Sequence, residues 1–291
     1  MIVKHAELAP NRRWQLVVSD LDGTLLDAKN RISPENKAAV ADLAAQGIAF
    51  TLATGRTDWM ARTYISQLKV RLPVISFNGA MIRDCGSNRV LYQRSIYGGE
   101  VRQLTAWLEE NKLDYLWYSP DAIYYPGHSE RIRYIRAYNR MAAEYGSGGV
   151  PVLPVPGPDS PNIASGLVKV LAILPDPDVN RRMRDYLAAH PALNGQMSSD
   201  VAMDITAAGT SKGLGLSILA DLLGYRLDQV VAFGDNDNDI SMLEAAGLGI
   251  AMGNASPQAL AASSFQTTDH ERSGFAAGIR RFVLPENPAA N

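Results

Sequence analysis

A single cysteine, Cys85, stands in 291 residues, so no disulfide can form within the chain, and a reducing compartment suits it. Charge excess is almost as scarce: 28 Lys and Arg against 30 Asp and Glu leave a net charge of −2, with the basic residues scattered. That balance argues against a nucleic-acid or membrane-surface footprint. Nowhere do about 18 apolar residues run uninterrupted, and Met1 to Gln15 holds no apolar stretch of signal-peptide length. His5, His128, His190 and His270 are far apart, and no pair has the spacing of metal ligands. Asn254-Ala255-Ser256 fits a glycosylation sequon, which is idle without a secretion signal. The absences leave the expectation of a cytoplasmic protein, monomer or homodimer, with no nucleic-acid and no membrane partner.

A hydrophobic fraction of 46% over this length is enough for two cores, so two domains or one with a large insertion are expected. The stretch Val17-Val18-Ser19-Asp20-Leu21-Asp22-Gly23 organises the reading. An apolar β-branched run predicts a strand, and the two Asp, depleted inside strands, fall at its mouth with Gly23 turning the chain. Ser33, Pro34 and Glu35 predict a helix start, and Gly47 its end. A strand at Ile48 to Ala53 delivers Thr54-Gly55-Arg56, a helix follows from Asp58 to Leu68, and Pro73 to Phe77 predicts a third strand. This alternation means βαβ units and a parallel sheet.

The rhythm then breaks. A hairpin is predicted over Arg83 to Ser95, then a helix from Gly99, strands at Asp114–Tyr118 and Ala122–Tyr125, and a helix over Arg131–Glu144. Gly146 to Pro161 reads as an irregular loop, Val168–Leu174 as a strand and Val179–His190 as a helix. Val201 to Ile205 is expected to lead back to a helix at Lys212–Leu223, a strand ending at Gly234-Asp235, a helix through Met242, and a short strand at Gly249–Met252. The predicted class is α/β, a Rossmann-like parallel-sheet core of residues 1–95 and 200–291 with an inserted α+β cap domain over 96–199.

Four features sit at strand ends or helix starts: Asp20/Asp22, Thr54-Gly55, Lys212, and the run Gly234 to Asp239. Carboxylates crowded this way repel unless a cation sits among them, and a hard divalent cation such as Mg²⁺ takes oxygen ligands. A Ca²⁺ loop starting at Asp235 fails, because its sixth and twelfth positions need Gly and Glu and hold Ile240 and Ala246. Gly213-Leu214-Gly215 and Gly247-Leu248-Gly249 do not complete a dinucleotide fingerprint.

Asp20-Leu21-Asp22-Gly23-Thr24, Thr54-Gly55-Arg56, Asn78-Gly79-Ala80, Ser211-Lys212-Gly213 and Gly234-Asp235-x-x-Asn238-Asp239 together resemble the signature set of haloacid dehalogenase-like hydrolases. The nearest subgroup is the Cof-type phosphatases with a type II α/β cap. Ser19 departs from the aromatic or aliphatic residue common in relatives, and the cap carries no matching motif. The resemblance implies a Mg²⁺-dependent phosphatase acting on small phosphorylated metabolites, sugar phosphates among them, through an aspartyl-phosphate. It implies Asp20 as nucleophile and Asp22 as general acid, then base. Asp20, the Asp22 carbonyl, Asp235 and Asp239 would hold the metal, Asp239 directly or through water. Thr54, the backbone N–H of Leu21 and Gly55, Lys212 and Asn238 would hold the phosphoryl oxygens.

Each assignment has a plainer counterpart. Lys212 alone would be a solvated helix-start lysine, Thr54 a helix N-cap, Asp239 a loop brace or a partner of Lys212, and Arg56 one half of a local salt bridge. Arg131, Arg133, Arg136 and Arg140 with Tyr134 and Tyr138 suggest nucleic-acid contact less than an amphipathic helix with Ile132 and Ile135 buried. Rival functions are a phosphomutase on sugar phosphates, a phospho-accepting receiver domain and a non-catalytic sugar-phosphate-binding module.

Overall fold

The computed structural model describes residues 14–144, 148–156 and 166–284. The expected tail, 1–13, and much of the expected Gly/Pro loop lie outside them. Two compact units emerge: unit 1, up to Arg89 and again from Ser211, and unit 2, Val90–Thr210.

Unit 1 is built in βα steps. β1 (Leu16–Ser19) leads through the turn at Gly23 to α1 (Pro34–Ala45), then β2 (Ala49–Leu52), α2 (Asp58–Gln67), β3 (Val74–Ser76) and β4 (Met81–Asp84). Ser33 caps α1 as expected, its hydroxyl accepting from the Asn36 N–H with Pro34 at the first position, and Gly47 turns the chain at φ +71°. Thr57, not Thr54, caps α2, its side chain accepting from the Met60 N–H. The β3–β4 pair is antiparallel, and a parallel bridge from Ile75 to Ala53 joins β3 to the end of β2. β5 (Arg89–Gln93) follows on the segment where the second hairpin strand is expected, and the unit boundary falls within it.

Unit 2 continues with α3 (Gly98–Glu110), β6 (Tyr115–Tyr118), β7 (Ile123–Tyr125), α4 (Ile132–Glu144), β8 (Val152–Pro154), β9 (Lys169–Ile173), α5 (Pro177–Ala189), β10 (Leu193–Ser199) and β11 (Ala202–Ala207). They form a six-stranded sheet in the order β10-β11-β9-β6-β7-β8. Here the expectation needs correcting. Val152–Pro154, read as loop, pairs parallel with β7. Val201 to Ile205, read as the return to the core, falls on β11, which pairs antiparallel with β9 and β10. Those ladders carry the unit boundary to 210/211 instead of 199/200, and the other boundary lies at 89/90 instead of 95/96.

Unit 1 resumes with α6 (Lys212–Leu223), β12 (Val230–Gly234), α7 (Ile240–Ala245), β13 (Leu248–Ala251), α8 (Pro257–Ala262), β14 (Phe265–Gln266) and α9 (Gly274–Gly278). Its sheet runs β14-β13-β12-β1-β2, every pair parallel. Parallel strands are covered on both faces, which is why Leu16, Val17 and Val18 of β1 are apolar and the whole strand is buried. Val17, Phe50, Val231 and Ile250 pack with Leu43, Phe275 and Ile279 in one cluster, while Trp117, Val170, Met203, Leu104 and Met183 form a second core in unit 2. Each large apolar side chain fully buried contributes roughly 1.5–3 kcal/mol. Cys85 is half-buried, and burial pushes its thiol up to about 11, so it stays protonated near neutral pH.

Candidate active site

The carboxyl ends of β1, β2 and β12 meet, and the chain leaves each through a polar loop. At the end of β1 the Asp20 N–H donates to the Phe233 carbonyl at 3.0 Å, tying the residue to the last turn of β12. Ser19 is wholly buried and spends its hydroxyl on the Asp20 carbonyl at 2.8 Å, so its polarity is satisfied locally. Leu25 and Leu26 both return their N–H to the Leu21 carbonyl, which closes the turn around Gly23. At Gly23 (φ +78°) a Cβ would lie 2.3 Å from Asp235 Oδ2, so only glycine lets the two loops approach.

Lys212, the first residue of α6, is fully buried and donates to Asp20 Oδ1 and Asp239 Oδ1, each at 2.6 Å. The solvated-lysine reading is thereby excluded. Burial works against the ammonium, but the two carboxylates outweigh it and raise its pKa. Asp239 also accepts the N–H groups of Asp235 and Asn236 at 2.9 and 3.0 Å, so it braces the loop as well as pairing with Lys212. Asp235 is held by Thr24, whose hydroxyl donates to Oδ1 at 2.8 Å.

Oxygens of Asp20, Asp235 and Asp239 lie within 4.8 Å of one another. Burial lifts Asp20 well above the usual carboxylate range, Lys212 opposes the lift, and Asp239, Asp22 and Asp235 add to it. Burial, with Asp239, pushes Asp235 up to about 6, against the bond from Thr24. Three carboxylates thus share one ammonium, and the surplus negative charge is what a divalent cation neutralises. A hard, oxygen-only donor set of this size fits Mg²⁺.

Asp22 points elsewhere. Its half-exposed carboxylate is gripped by Arg56, from Nε at 2.8 Å and from a terminal nitrogen at 2.5 Å. Arg56 is itself fixed by Asn30 at 2.8 Å and by the hydroxyl and ring face of Tyr64. The salt-bridge reading of Arg56 therefore holds, with Asp22 as its partner. Thr54 is wholly buried, and its hydroxyl accepts from the Arg56 N–H at 3.1 Å.

Sequence reasoning passed over Asn78 as a site residue. Phe77, Asn78 and Gly79 all have positive φ, and for Phe this is a costly conformation of the kind that collects at functional sites. The turn presents Asn78 Oδ1 to the Asn238 amide at 3.0 Å, and a Cβ on Gly55 would come within 2.9 Å of the same oxygen. Asn238 Oδ1 is buried with no hydrogen-bond partner among the described residues, a place a ligand donor would fill. The signal was legible as Asn-Gly at a strand end, a pair that tolerates left-handed backbone.

This arrangement of strand-end carboxylates, buried lysine and acidic loop defines a class. A family model described as haloacid dehalogenase-like hydrolase matches residues 17–279, and the chain belongs to that family, in its Cof-type phosphatase branch of phosphoric monoester hydrolases. Among particular relatives, the 5-amino-6-(5-phospho-D-ribitylamino)uracil phosphatase YwtE of Bacillus subtilis is 28% identical over 275 residues, 89% of this chain and 95% of its own. Pyridoxal phosphate phosphatase YbhA of Escherichia coli is 30% identical over 250 residues, 83% of this chain and 88% of its own. The crystal structure of a haloacid dehalogenase-like hydrolase from Bacteroides thetaiotaomicron superposes with a TM-score of 0.77 at 26% identity, covering 92% of this chain and 99% of that one. No helix among the described residues is long and apolar enough to cross a membrane.

Proposed function

We propose that this chain is a Mg²⁺-dependent phosphatase of small phosphorylated metabolites, sugar phosphates among them, working through an aspartyl-phosphate on Asp20. The observation that carries the reading is the buried Asp20 carboxylate at the strand mouth, 2.6 Å from Lys212 and crowded by Asp235 and Asp239. Asp20 attacks phosphorus and the bond to the leaving alkoxide breaks, the alkoxide taking a proton from Asp22. Asp22 then removes a proton from water, which attacks the aspartyl-phosphate, releases phosphate and restores the Asp20 carboxylate. For either step Asp22 exchanges its grip on Arg56 for the reacting oxygen.

Asp20, the Asp22 carbonyl, Asp235 and Asp239 (the last directly or through water) are the residues that would hold Mg²⁺. When bound, the cation supplies neutralisation of the charge that develops on the phosphoryl oxygens. Lys212, the Thr54 hydroxyl, the N–H groups of Leu21 and Gly55, and Asn238 are assigned to the same oxygens. Lys212 already faces the nucleophile, so binding a phosphoryl group needs little movement of it. Choice among phosphomonoesters is assigned to unit 2, which carries none of the catalytic motifs. The Bacillus and Escherichia relatives are named as phosphatases, which favours hydrolysis over the mutase and receiver alternatives.

The test is a phosphate-release screen with Mg²⁺ over sugar, nucleotide and cofactor phosphates, with Asp20→Asn as control. Turnover of one or more compounds that the variant fails to turn over supports the reading. No release from any member by the wild-type chain sinks it.

A further inference from the structure

The sequon-like Asn254-Ala255-Ser256 finds a use in the structure. Asn254 comes after β13 on the surface, where an asparagine is ordinarily solvated and mobile. Here both ends of its amide are engaged. Its Nδ2 donates to the Gly23 carbonyl at 2.9 Å and reaches Asp235 Oδ2 at 3.3 Å, and its Oδ1 accepts the His270 N–H at 3.1 Å. The His270 donor fixes which way the amide faces, because a backbone N–H requires the oxygen. One side chain thereby ties the loop that carries the nucleophile, the acidic loop and the turn at residues 269–272.

From this geometry we infer that Asn254 is a positioning residue that holds Asp235 as a metal ligand and fixes its loop against that of Asp20. The inference rests on the proposed reading of Asp235. Thr24 donates to Oδ1 of that carboxylate and Asn254 to Oδ2, so each oxygen carries one bond and the plane of the group is set. The remaining lone pairs are left for a cation. Partners of this kind, one step removed from the metal, set a ligand's orientation, and losing one typically costs about 10- to 100-fold in metal affinity or activity. An amide does this without adding charge, which matters beside three carboxylates that already repel. The Gly23 bond does a second job: at a position where no side chain fits, it is the Asn254 amide that fastens the turn to Asp235.

The test compares Asn254→Ala and Asn254→Asp with the wild type and with Ser256→Ala. The last loses a 2.6 Å bond to Asp237 and the cap of α8 on the same turn, but leaves both Asp235 oxygens held. Mn²⁺ affinity is measured directly without substrate, and the Mg²⁺ concentration for half-activation is read with p-nitrophenyl phosphate. Asn254→Ala should weaken both by roughly tenfold or more, with KM for the ester unchanged at saturating metal. Asn254→Asp should change metal affinity differently from Ala, since it keeps the acceptor for His270 but sets an anion against Asp235. Ser256→Ala should stay within about twofold of wild type in metal affinity. Asn254→Ala within twofold of wild type, or no weaker than Ser256→Ala, overturns the inference. A difference in Mn²⁺ affinity in a protein that releases no phosphate from any ester supports the positioning role and refutes the phosphatase reading.

Discussion

Each unit buries a lysine against aspartate, and the two sites differ in arithmetic. In unit 2, Lys169 on β9 meets Asp204 on the neighbouring β11 at 3.1 Å, with the ammonium 4.7 Å from the centre of the Tyr118 ring. Both residues belong to one sheet, and each strand supplies one charge of the pair. In unit 1, Lys212 meets two aspartates from separate loops, with a third, Asp235, beside them. That site is short of positive charge. A balanced buried pair is a feature of the fold, whereas an unbalanced one is a demand on something that arrives from solvent.

The contrast can be broken in order of expected effect. Asp20→Asn should lower phosphate release by more than the roughly 1,000-fold that one electrostatic partner is worth, because the covalent route is lost. Circular dichroism should show the fold retained. Lys212→Met should cost about 100- to 1,000-fold in turnover and leave two buried carboxylates unpaired, with a stability loss of about 3–5 kcal/mol that added Mg²⁺ partly restores. Lys169→Met should lose a comparable ~3–5 kcal/mol in urea unfolding, yet keep turnover of p-nitrophenyl phosphate within about twofold and gain no more from Mg²⁺ than the wild type does. Replacing both partners, Lys169→Met with Asp204→Leu, should recover most of that loss. A Lys169→Met protein that gains more from Mg²⁺ than the wild type does would erase the distinction.

The smallest effect is on pH. Asp235 has a folded pKa of about 6, above its ordinary value near 3.8. Between those values the folded metal-free protein binds more protons than the unfolded chain, so its stability falls as pH rises through the window. Mg²⁺ competes with those protons, so the rise in melting temperature it produces should be larger at pH 7 than at pH 5. An equal rise at both would mean the carboxylates are not its ligands.

Much of unit 1 was legible because its strands end in polar residues that cannot belong to a strand. Asp20, Thr54 and Asp235 each announce the mouth of the sheet, and a capping residue such as Ser33 marks the start of a helix beyond it. Unit 2 was harder to read. β10, Leu-Asn-Gly-Gln-Met-Ser-Ser, lacks β-branched residues and alternation, and it exists because β11 offers it a ladder at the sheet edge. The same missing strand hid the allegiance of Ala202–Ala207 and moved the boundary. Within the site, residue types and the pairing of Lys212 with Asp239 were legible, and most other partners were not. The grip of Arg56 on Asp22 and the three bonds of Asn254 depend on loops brought together across up to 231 residues, which no local pattern encodes.

The side-by-side placement of β1 and β12 has a consequence for the newborn chain. Lys212 lies 192 residues beyond the aspartate it meets, and Asp235 lies 211 beyond the threonine that orients it. On the ribosome, β1 can pair with β2 early but must wait through synthesis of all of unit 2 before β12 emerges on its other side. On the proposed reading, chemistry at Asp20 waits until residues 212–239 have been made, and a product terminated before them lacks Lys212, Asp235 and Asp239.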